Sequence, residues 1–300
     1  MSNDARIGFI GLGVMGRSMA RHLRAGGYQL LVYNRTRARA DEILGLGAEW
    51  RDTAAEVAAA SDVVVTMVGY PHDVEQIYFG EHGIIAAARA GTLLIDMTTS
   101  TPALAQRIDA AARERGCAAL DAPVSGGDVG AREARLTIMA GGAVAAFERA
   151  HPIFEKLGRN IRLMGSAGAG QHTKMCNQIA IAAGMIGVCE ALVYAEEAGL
   201  DQTLMIETIS TGAAASWSLS NYGPRIIAGN FAPGFYVKHF IKDMEIALAA
   251  AQEMGLETPG LELALRLYRR LAEEGFGEDG TQALYRLYSE TETEGETEAG

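Results

Sequence analysis

The sequence RIGFIGLGVMG at residues 6–16 decides the fold of this chain. It begins with a short apolar run typical of a buried strand, and the segment after the glycines reads as a helix that ends at Gly26. A strand, the pattern G-x-G-x-x-G and a helix together form the dinucleotide-binding fingerprint, although a plain glycine-rich turn can show the same spacing. The position of the glycines between a strand and a helix favours a dinucleotide-binding site over a plain glycine-rich turn. Its predicted cofactor contacts are Gly11, Leu12, Gly13, Val14, Met15 and Gly16.

The end of the second apolar strand, at residues 29–33, indicates which dinucleotide binds. An NAD site usually has an acidic residue here, which binds the ribose 2′-hydroxyl. This chain has the amide Asn34 followed by Arg35, Thr36 and Arg37. Arginines bind a 2′-phosphate and stack on adenine, although a solvated loop can also carry them. With the fingerprint upstream, we expect NADP rather than NAD, bound by Asn34, Arg35 and Thr36.

Short apolar strands and helices continue to alternate up to residue 164, as in a doubly wound parallel sheet of the Rossmann type. Ligands of such sheets bind at the carboxyl ends of the strands. The predicted cofactor contacts at two of these ends are Val68, Gly69 and Thr98. Thr98 and Thr99 have two candidate roles, and capping of the helix that begins near Pro102 is expected for one of them.

A long helix is predicted within GAGQHTKMCNQIAIAAGMIGVCEALVYAEEAG at residues 168–199, which has no charged residue from Met175 to Cys189. Because Asn177 and Gln178 interrupt its apolar run, we expect a core helix that joins two domains rather than a membrane span. The i, i+3 and i+4 spacing places Lys174 on the same face as these two amides. From these residues alone, a solvated first-turn lysine and a functional one are equally compatible with the pattern.

The domain prediction is a nucleotide-binding domain at residues 1–164, an all-helical domain at 165–289 and a disordered acidic tail at 290–300. The net charge of −11 includes five tail glutamates, and the mildly acidic body argues against nucleic acid as a partner. Three cysteines form no disulfide framework, and no signal peptide is apparent. We therefore expect a cytoplasmic protein with no membrane partner and no metal.

Four motifs resemble the β-hydroxyacid dehydrogenase family, which includes 3-hydroxyisobutyrate dehydrogenases, tartronate semialdehyde reductases and glyoxylate/succinic semialdehyde reductases. They are GFIGLGVMG at residues 8–16, DAPVSGG at 121–127, GAGQHTKMCNQ at 168–178 and the KD pair at 242–243. The resemblance covers about residues 5–288. Taken alone, DAPVSGG is more often an ordinary turn, and the KD pair is compatible with a solvated ion pair.

The resemblance implies roles for residues of these motifs. Lys174 would be the proton donor and acceptor, and Ser125, Gly126 and Gly127 would hold the substrate carboxylate. The further implied contacts are Asn177 and Gln178 for the substrate, Trp217 and Phe235 for the pocket wall, and Lys242 with Asp243 for the cofactor. Core packing is the alternative for Trp217.

The expected activity is hydride transfer between NADP(H) and a small semialdehyde or 3-hydroxy acid, by a homodimer or homotetramer. Two alternatives share the architecture. Imine reductases usually have aspartate or tyrosine where Lys174 stands, and a non-catalytic NADP-binding scaffold would be expected to lose Lys174 or Ser125.

Overall fold

The computed structural model describes residues 5–289, so the predicted disorder of the tail lies outside the described residues. The chain forms two compact units that divide between Lys174 and Met175. The domain boundary expected from the sequence, between residues 164 and 165, stays a prediction.

The first unit is built on one sheet of nine strands in the order β3-β2-β1-β4-β5-β6-β8-β7, with β9 paired to β8. The strands are β1 (Arg6–Ile10), β2 (Gln29–Tyr33), β3 (Glu49–Trp50), β4 (Val63–Thr66), β5 (Leu93–Asp96), β6 (Ala118–Asp121), β7 (Val124–Ser125), β8 (Leu136–Gly142) and β9 (Gly158–Gly165). The pairs from β3 to β6 are parallel, which confirms the predicted Rossmann-type sheet. β8 runs antiparallel to β6 and β7.

Helices cover both faces of this sheet, and strands β4 and β5 are therefore buried along their whole length. The helices are α1 (Val14–Ala25), α2 (Asp41–Gly45), α3 (Ala54–Ala60), α4 (Pro71–Phe79), α5 (Ile84–Ala87), α6 (Pro102–Glu114), α7 (Gly127–Arg132) and α8 (Val144–Phe154). A 3₁₀ turn at Arg37–Ala40 precedes α2. The sequence interpretation had no helix at α7, which starts within the glycines of DAPVSGG.

The second unit is helical. α9 (Ala169–Glu197) crosses the division between the units and is followed by α10 (Gln202–Ile209), α11 (Trp217–Ile227), α12 (Val237–Glu253), α13 (Pro259–Leu271) and α14 (Arg286–Ser289). Asp201 caps α10, accepting a hydrogen bond from the Leu204 backbone N–H. Residues 175–289 contain no strand, only an isolated bridge between Tyr236 and Gly280. This confirms the predicted helical domain and the long helix leading into it.

One side of α9 packs into the core of the second unit through Met185, Cys189 and Leu192. The other side is exposed in the single chain, so the expectation of a core helix is wrong for one face of α9. The exposed residues of that side are Cys176, Ala180, Ala183, Gly184, Gly187, Glu190 and Tyr194. By length and composition alone α9 is also apolar enough to cross a membrane, although 44% of its most apolar window is buried in the protein. The interruption of the apolar run by Asn177 and Gln178 therefore does not by itself exclude a membrane span.

Candidate functional site

The glycine loop between β1 and α1 depends on the absence of side chains at two positions. Gly11 has φ of +99°, and a side chain there would collide with the backbone of Met67. A side chain at Gly16 would collide with the carbonyl oxygen of Gly11. Gly13 differs from both, because a Cβ built there meets no atom within 4 Å. The loop therefore has open space at the position where the fingerprint brings backbone and pyrophosphate together.

Asn34 holds this loop against the end of β2. Its Oδ1 accepts a hydrogen bond of 2.8 Å from the Leu12 backbone N–H, and its Nδ2 donates one of 2.8 Å to the Thr36 carbonyl. The sequence interpretation gave Asn34 only a cofactor contact and missed this loop-holding role. No local signal predicts it, because Leu12 lies 22 positions earlier in the chain.

Two arginines follow Asn34 and lie in different surroundings. The Arg35 side chain is 87% exposed, and its Nη1 lies 3.3 Å from the carboxylate of Asp73 in the first turn of α4. The Arg37 guanidinium lies 5.0 Å from the ring centroid of Trp50. Arg35 is thus exposed at the end of β2, where a dinucleotide presents its adenosine ribose.

The predicted contacts at the ends of β4 and β5 are joined to each other. The Val68 backbone N–H donates a hydrogen bond of 3.0 Å to Thr98 Oγ1, and Gly69 follows in a bend. The expectation that Thr98 or Thr99 caps the next helix is wrong, because Thr101 Oγ1 accepts the capping hydrogen bond from Leu104. The Thr98 hydroxyl therefore joins the segments that follow β4 and β5, instead of capping α6.

Asp96, at the end of β5, is a buried carboxyl that the sequence interpretation did not select. Burial raises its pKa from 3.8 to about 6, even though hydrogen bonds from Thr66 and Thr98 lower it. The Thr66 hydroxyl donates at 2.7 Å and the Thr98 N–H at 3.1 Å, both to Oδ1 of Asp96. The negative charge of Asp121, the register neighbour on β6, adds a smaller upward contribution to the pKa.

Replacing Asp96 with asparagine should stabilise the protein at neutral pH. Since the folded pKa of about 6 exceeds the ordinary 3.8, the folded state binds more protons between these values and loses stability as pH rises through them. Asparagine keeps an acceptor for both donors and never ionises. We expect Asp96→Asn to gain about 1–3 kcal/mol over the parent at pH 7.5 and little at pH 4.

Urea unfolding at both pH values measures this difference. Asp41→Asn, at an exposed carboxyl on α2, is the matched control and should follow the parent curve. An advantage of Asp96→Asn that is the same at both pH values would contradict the assignment.

The Ser-Gly-Gly run joins a strand to a helix rather than forming a simple turn. Ser125 ends β7 and pairs with Thr137 of β8. Gly126 and Gly127 follow with φ of +130° and +62°, conformations that favour glycine. The sheet therefore fixes half-buried Ser125, and the backbone directly after it carries no side chain at the two glycines.

Lys174, the last residue of the first unit, is only 7% exposed. The alternative of a solvated first-turn lysine is therefore wrong. A lysine is rarely buried to this degree without a partner or a role.

In the second unit, a chain of polar side chains connects α9 with α12. Gln178 Nε2 donates a hydrogen bond of 2.6 Å to Asp243 Oδ2, and Gln178 Oε1 accepts one of 2.7 Å from Asn177. Lys242 Nζ lies 3.0 Å from Asp243 Oδ1. The side chains of Lys242 and Asp243 are 11% and 2% exposed, so the alternative of a solvated charge pair is wrong.

Two aromatic residues were predicted to line the pocket. Trp217 begins α11 and is 58% exposed, with its ring centroid 5.0 Å from that of Tyr222. Core packing is therefore wrong for Trp217, and the pocket role stays a prediction. Phe235 is half-buried against Phe240, with ring centroids 5.5 Å apart.

Two family profiles match consecutive parts of the chain. Residues 6–165 match the NAD binding domain of 6-phosphogluconate dehydrogenase. Residues 168–288 match the NAD-binding region of NADP-dependent 3-hydroxyisobutyrate dehydrogenase. Together the two profiles span nearly all the described residues.

Similar proteins cover almost the full length. An uncharacterized oxidoreductase of Bacillus subtilis is 58% identical over 94% of this chain and 98% of its own length. The 2-hydroxy-3-oxopropionate reductase of Escherichia coli is 41% identical over 90% of this chain and 92% of its own. Among solved structures, 3-hydroxyisobutyrate dehydrogenase of Mycobacterium tuberculosis with L-serine superimposes with a TM-score of 0.88. That structure is 31% identical and covers 95% of this chain and 99% of its own.

An imine reductase from Myxococcus stipitatus is more distant. Its TM-score is 0.63 at 20% identity, over 94% of this chain and 99% of its own. This similarity shows a shared fold only.

Proposed function

The chain belongs to the β-hydroxyacid dehydrogenase family, and from this premise we propose that it transfers a hydride between NADP(H) and a small semialdehyde or 3-hydroxy acid. The family makes it an oxidoreductase that uses a nicotinamide cofactor. The proposal adds the preference for NADP, the substrate class and the roles of individual residues.

The observation that carries the catalytic proposal is the burial of Lys174 within a motif of this family. During reduction of an aldehyde the carbonyl oxygen gains negative charge and needs a proton. Lys174 is proposed to donate that proton, and to accept it in the reverse direction. Ser125 and the backbone at Gly126 and Gly127 are proposed to bind the substrate carboxylate.

The cofactor fits the residues of the first unit. The open space at Gly13, and the glycines required at positions 11 and 16, provide the close backbone approach that a pyrophosphate needs. When bound, the nicotinamide supplies or accepts the hydride. The contacts proposed to hold the dinucleotide are those of the glycine loop, Arg35 and Thr98, all in the first unit. The contact expected from Lys242 stays a prediction.

The proposed substrate class also draws on the Escherichia coli relative, which reduces an aldehyde-bearing hydroxy acid according to its name. In the second unit, Gln178 donates to Asp243, whereas half-buried Asn177 is proposed to contact the substrate. Gln178 is then proposed to align Asp243 and Lys242 for the cofactor.

Preference for NADPH should depend on Arg35. A charge-assisted contact with phosphate contributes about 1.5–3 kcal/mol, so Arg35→Ala should lower kcat/KM for NADPH about 10- to 100-fold. The value for NADH should change much less, because NADH has no 2′-phosphate. Steady-state kinetics with both cofactors measures this.

The matched control is Arg39→Ala, which removes an exposed arginine of the nearby 3₁₀ turn and the same net charge. Equal efficiencies of the parent with NADPH and NADH, or equal effects of both variants, would contradict the NADP assignment.

A substrate panel tests the function itself. Short semialdehydes and 3-hydroxy acids should turn over with NADPH and NADP, whereas an uncharged aldehyde of the same size should be a poor substrate. Turnover of cyclic imines in preference to all semialdehydes would favour an imine reductase. The absence of any turnover together with tight NADPH binding would favour a scaffold.

We also propose that a second copy of the chain covers the exposed, mostly apolar side of α9, giving a homodimer or a homotetramer. Tyr194, 74% exposed, lies on this side, and an apolar surface of this kind marks an interaction site. Light scattering at micromolar concentration should show an oligomer, and a monomer would contradict the proposal.

A further inference from the structure

Two buried side chains fasten the first turn of α9 to the sheet of the first unit. Asp121 lies at the end of β6 and is 4% exposed, and Gln171 lies in α9 and is fully buried. Both precede Lys174 in the chain, and neither has a role in the reaction as described above.

Asp121 caps α9 from a distant strand. Its Oδ1 accepts a hydrogen bond of 2.7 Å from the Gly168 N–H, and its Oδ2 accepts one of 2.8 Å from the Gln171 N–H. These donors belong to the start of the helix, where backbone N–H groups have no partner within the helix. The two hydrogen bonds therefore fix the first turn in both position and direction.

Glycines allow the carboxylate to come this close. A Cβ at Gly170 would lie 2.8 Å from Asp121 Oδ2, and one at Gly141 would lie 2.6 Å from Asp121 Oδ1. Gly168 has φ of +89°, in the left-handed region that favours glycine. The glycines of GAGQ thus serve the contact between helix and strand.

Gln171 joins the same turn to the segment after β5. Its Nε2 donates a hydrogen bond of 2.8 Å to the Thr98 carbonyl, and its Oε1 accepts one of 3.0 Å from the Ser100 N–H. Both polar atoms of the amide therefore bond to backbone groups of the segment that follows β5. Thr98 in turn accepts from Val68, so the edge proposed to hold the cofactor is tied directly to α9.

Lys174 follows Gln171 by three residues and therefore lies almost one turn further along the same rigid helix. We propose that Asp121 and Gln171 are positioning residues that hold Lys174 at a fixed distance from the cofactor-binding edge of the sheet. The inference rests on the proposed role of Lys174 as proton donor. In this inference the Asp121 cap of α9 and the hydrogen bonds of the Gln171 amide serve the reaction as well as folding.

A double-mutant cycle separates positioning from a general structural role. In the parent, Gln171→Met keeps the side-chain volume but removes both hydrogen bonds. A displacement of about 1 Å can cost 10²-fold, so we expect kcat to fall about 10- to 100-fold. The NADPH Kd, from fluorescence titration, should change much less than kcat. The solvent deuterium isotope effect on kcat should rise, since proton transfer becomes slower.

In the Lys174→Ala background, Gln171→Met should cause almost no further loss of kcat, because the group it positions is gone. An equal fold-loss in both backgrounds, or an unchanged isotope effect, would overturn the inference. Near-normal turnover of Lys174→Ala alone would instead overturn the proposed function on which it rests.

Asp121→Asn is the second variant, since it retains one acceptor oxygen and is more conservative if Gln171→Met folds poorly. It should show a smaller loss of kcat with the same dependence on Lys174. Thr53→Ala is the control for destabilisation alone. It removes the cap of α3 at a cost of about 1 kcal/mol and should leave kcat and the isotope effect unchanged.

Discussion

Lys174→Ala should lower kcat about 10²- to 10⁴-fold, the usual contribution of a positioned proton donor. The carbonyl oxygen of the substrate then receives its proton from water, which is neither held in place nor matched in acidity. Stopped-flow measurement of NADPH oxidation with a short semialdehyde gives kcat directly. The Kd for NADPH, measured by fluorescence titration, should stay close to that of the parent.

Two further variants make this result interpretable. Lys174→Met retains most of the buried volume and should lose as much activity as Lys174→Ala, which excludes a cavity as the cause. Lys156→Ala removes an exposed lysine near the end of α8 and should have normal kcat. Turnover of Lys174→Ala within a few-fold of the parent would show that another group supplies the proton.

The sheet and the cofactor loop were predictable because their signals are local. A buried parallel strand is a short continuous apolar run, and the fingerprint places its glycines directly after the first of these runs. Both features follow from a few neighbouring residues. The position of β1, β4 and β5 in the centre of the sheet then follows from their burial on both faces.

Two helices that were not predicted from the sequence, α7 and α11, have the composition of loops. α7 begins at Gly127 after another glycine, and α11 follows a run of alanine and serine that has no apolar period. Each helix forms because the structure around it supplies a surface to pack on. Ser216 also caps α11, accepting a hydrogen bond from Leu219.

The hydrogen bonds that order the site could not be predicted from the sequence, because they join residues far apart in the chain. Asn34 reaches back 22 positions to Leu12, and Asp121 reaches forward 50 positions to Gln171. An isolated asparagine or aspartate gives no sign of such a partner. The exposure of one side of α9 was missed for a related reason, since apolar composition does not reveal which surface covers it.

Alanine substitutions at two glycines of the cofactor loop should affect the stability of the protein and its binding of NADPH differently. Gly16→Ala places a methyl group against the carbonyl oxygen of Gly11, which is backbone and cannot rotate away. Alanine gains about 1 kcal/mol over glycine in a helix, whereas overpacking typically costs about 1–3 kcal/mol, and a clash with backbone that cannot move away falls at the upper end of that range. The steric cost exceeds the gain in helix propensity. We therefore expect a net loss of about 2 kcal/mol or more in the free energy of unfolding, together with weak NADPH binding.

Gly13→Ala should give the opposite pattern. Gly13 has φ of −72°, which any residue adopts, and a Cβ there meets no atom within 4 Å in the free protein. Stability should therefore stay within about 0.5 kcal/mol of the parent, as for a surface substitution. The new methyl group, however, occupies space that the pyrophosphate needs. A steric cost of about 1–3 kcal/mol would raise the NADPH Kd about 5- to 150-fold.

The two variants differ by one methyl group at positions three residues apart, so each is the control for the other. Urea unfolding gives the stability of both, and fluorescence titration gives their NADPH affinity. If Gly13→Ala bound NADPH as tightly as the parent, the open space beside Gly13 would not be the pyrophosphate site. If Gly16→Ala were as stable as the parent, α1 would be able to move away from β1. The close packing of helix on strand would then not be what holds the loop in place.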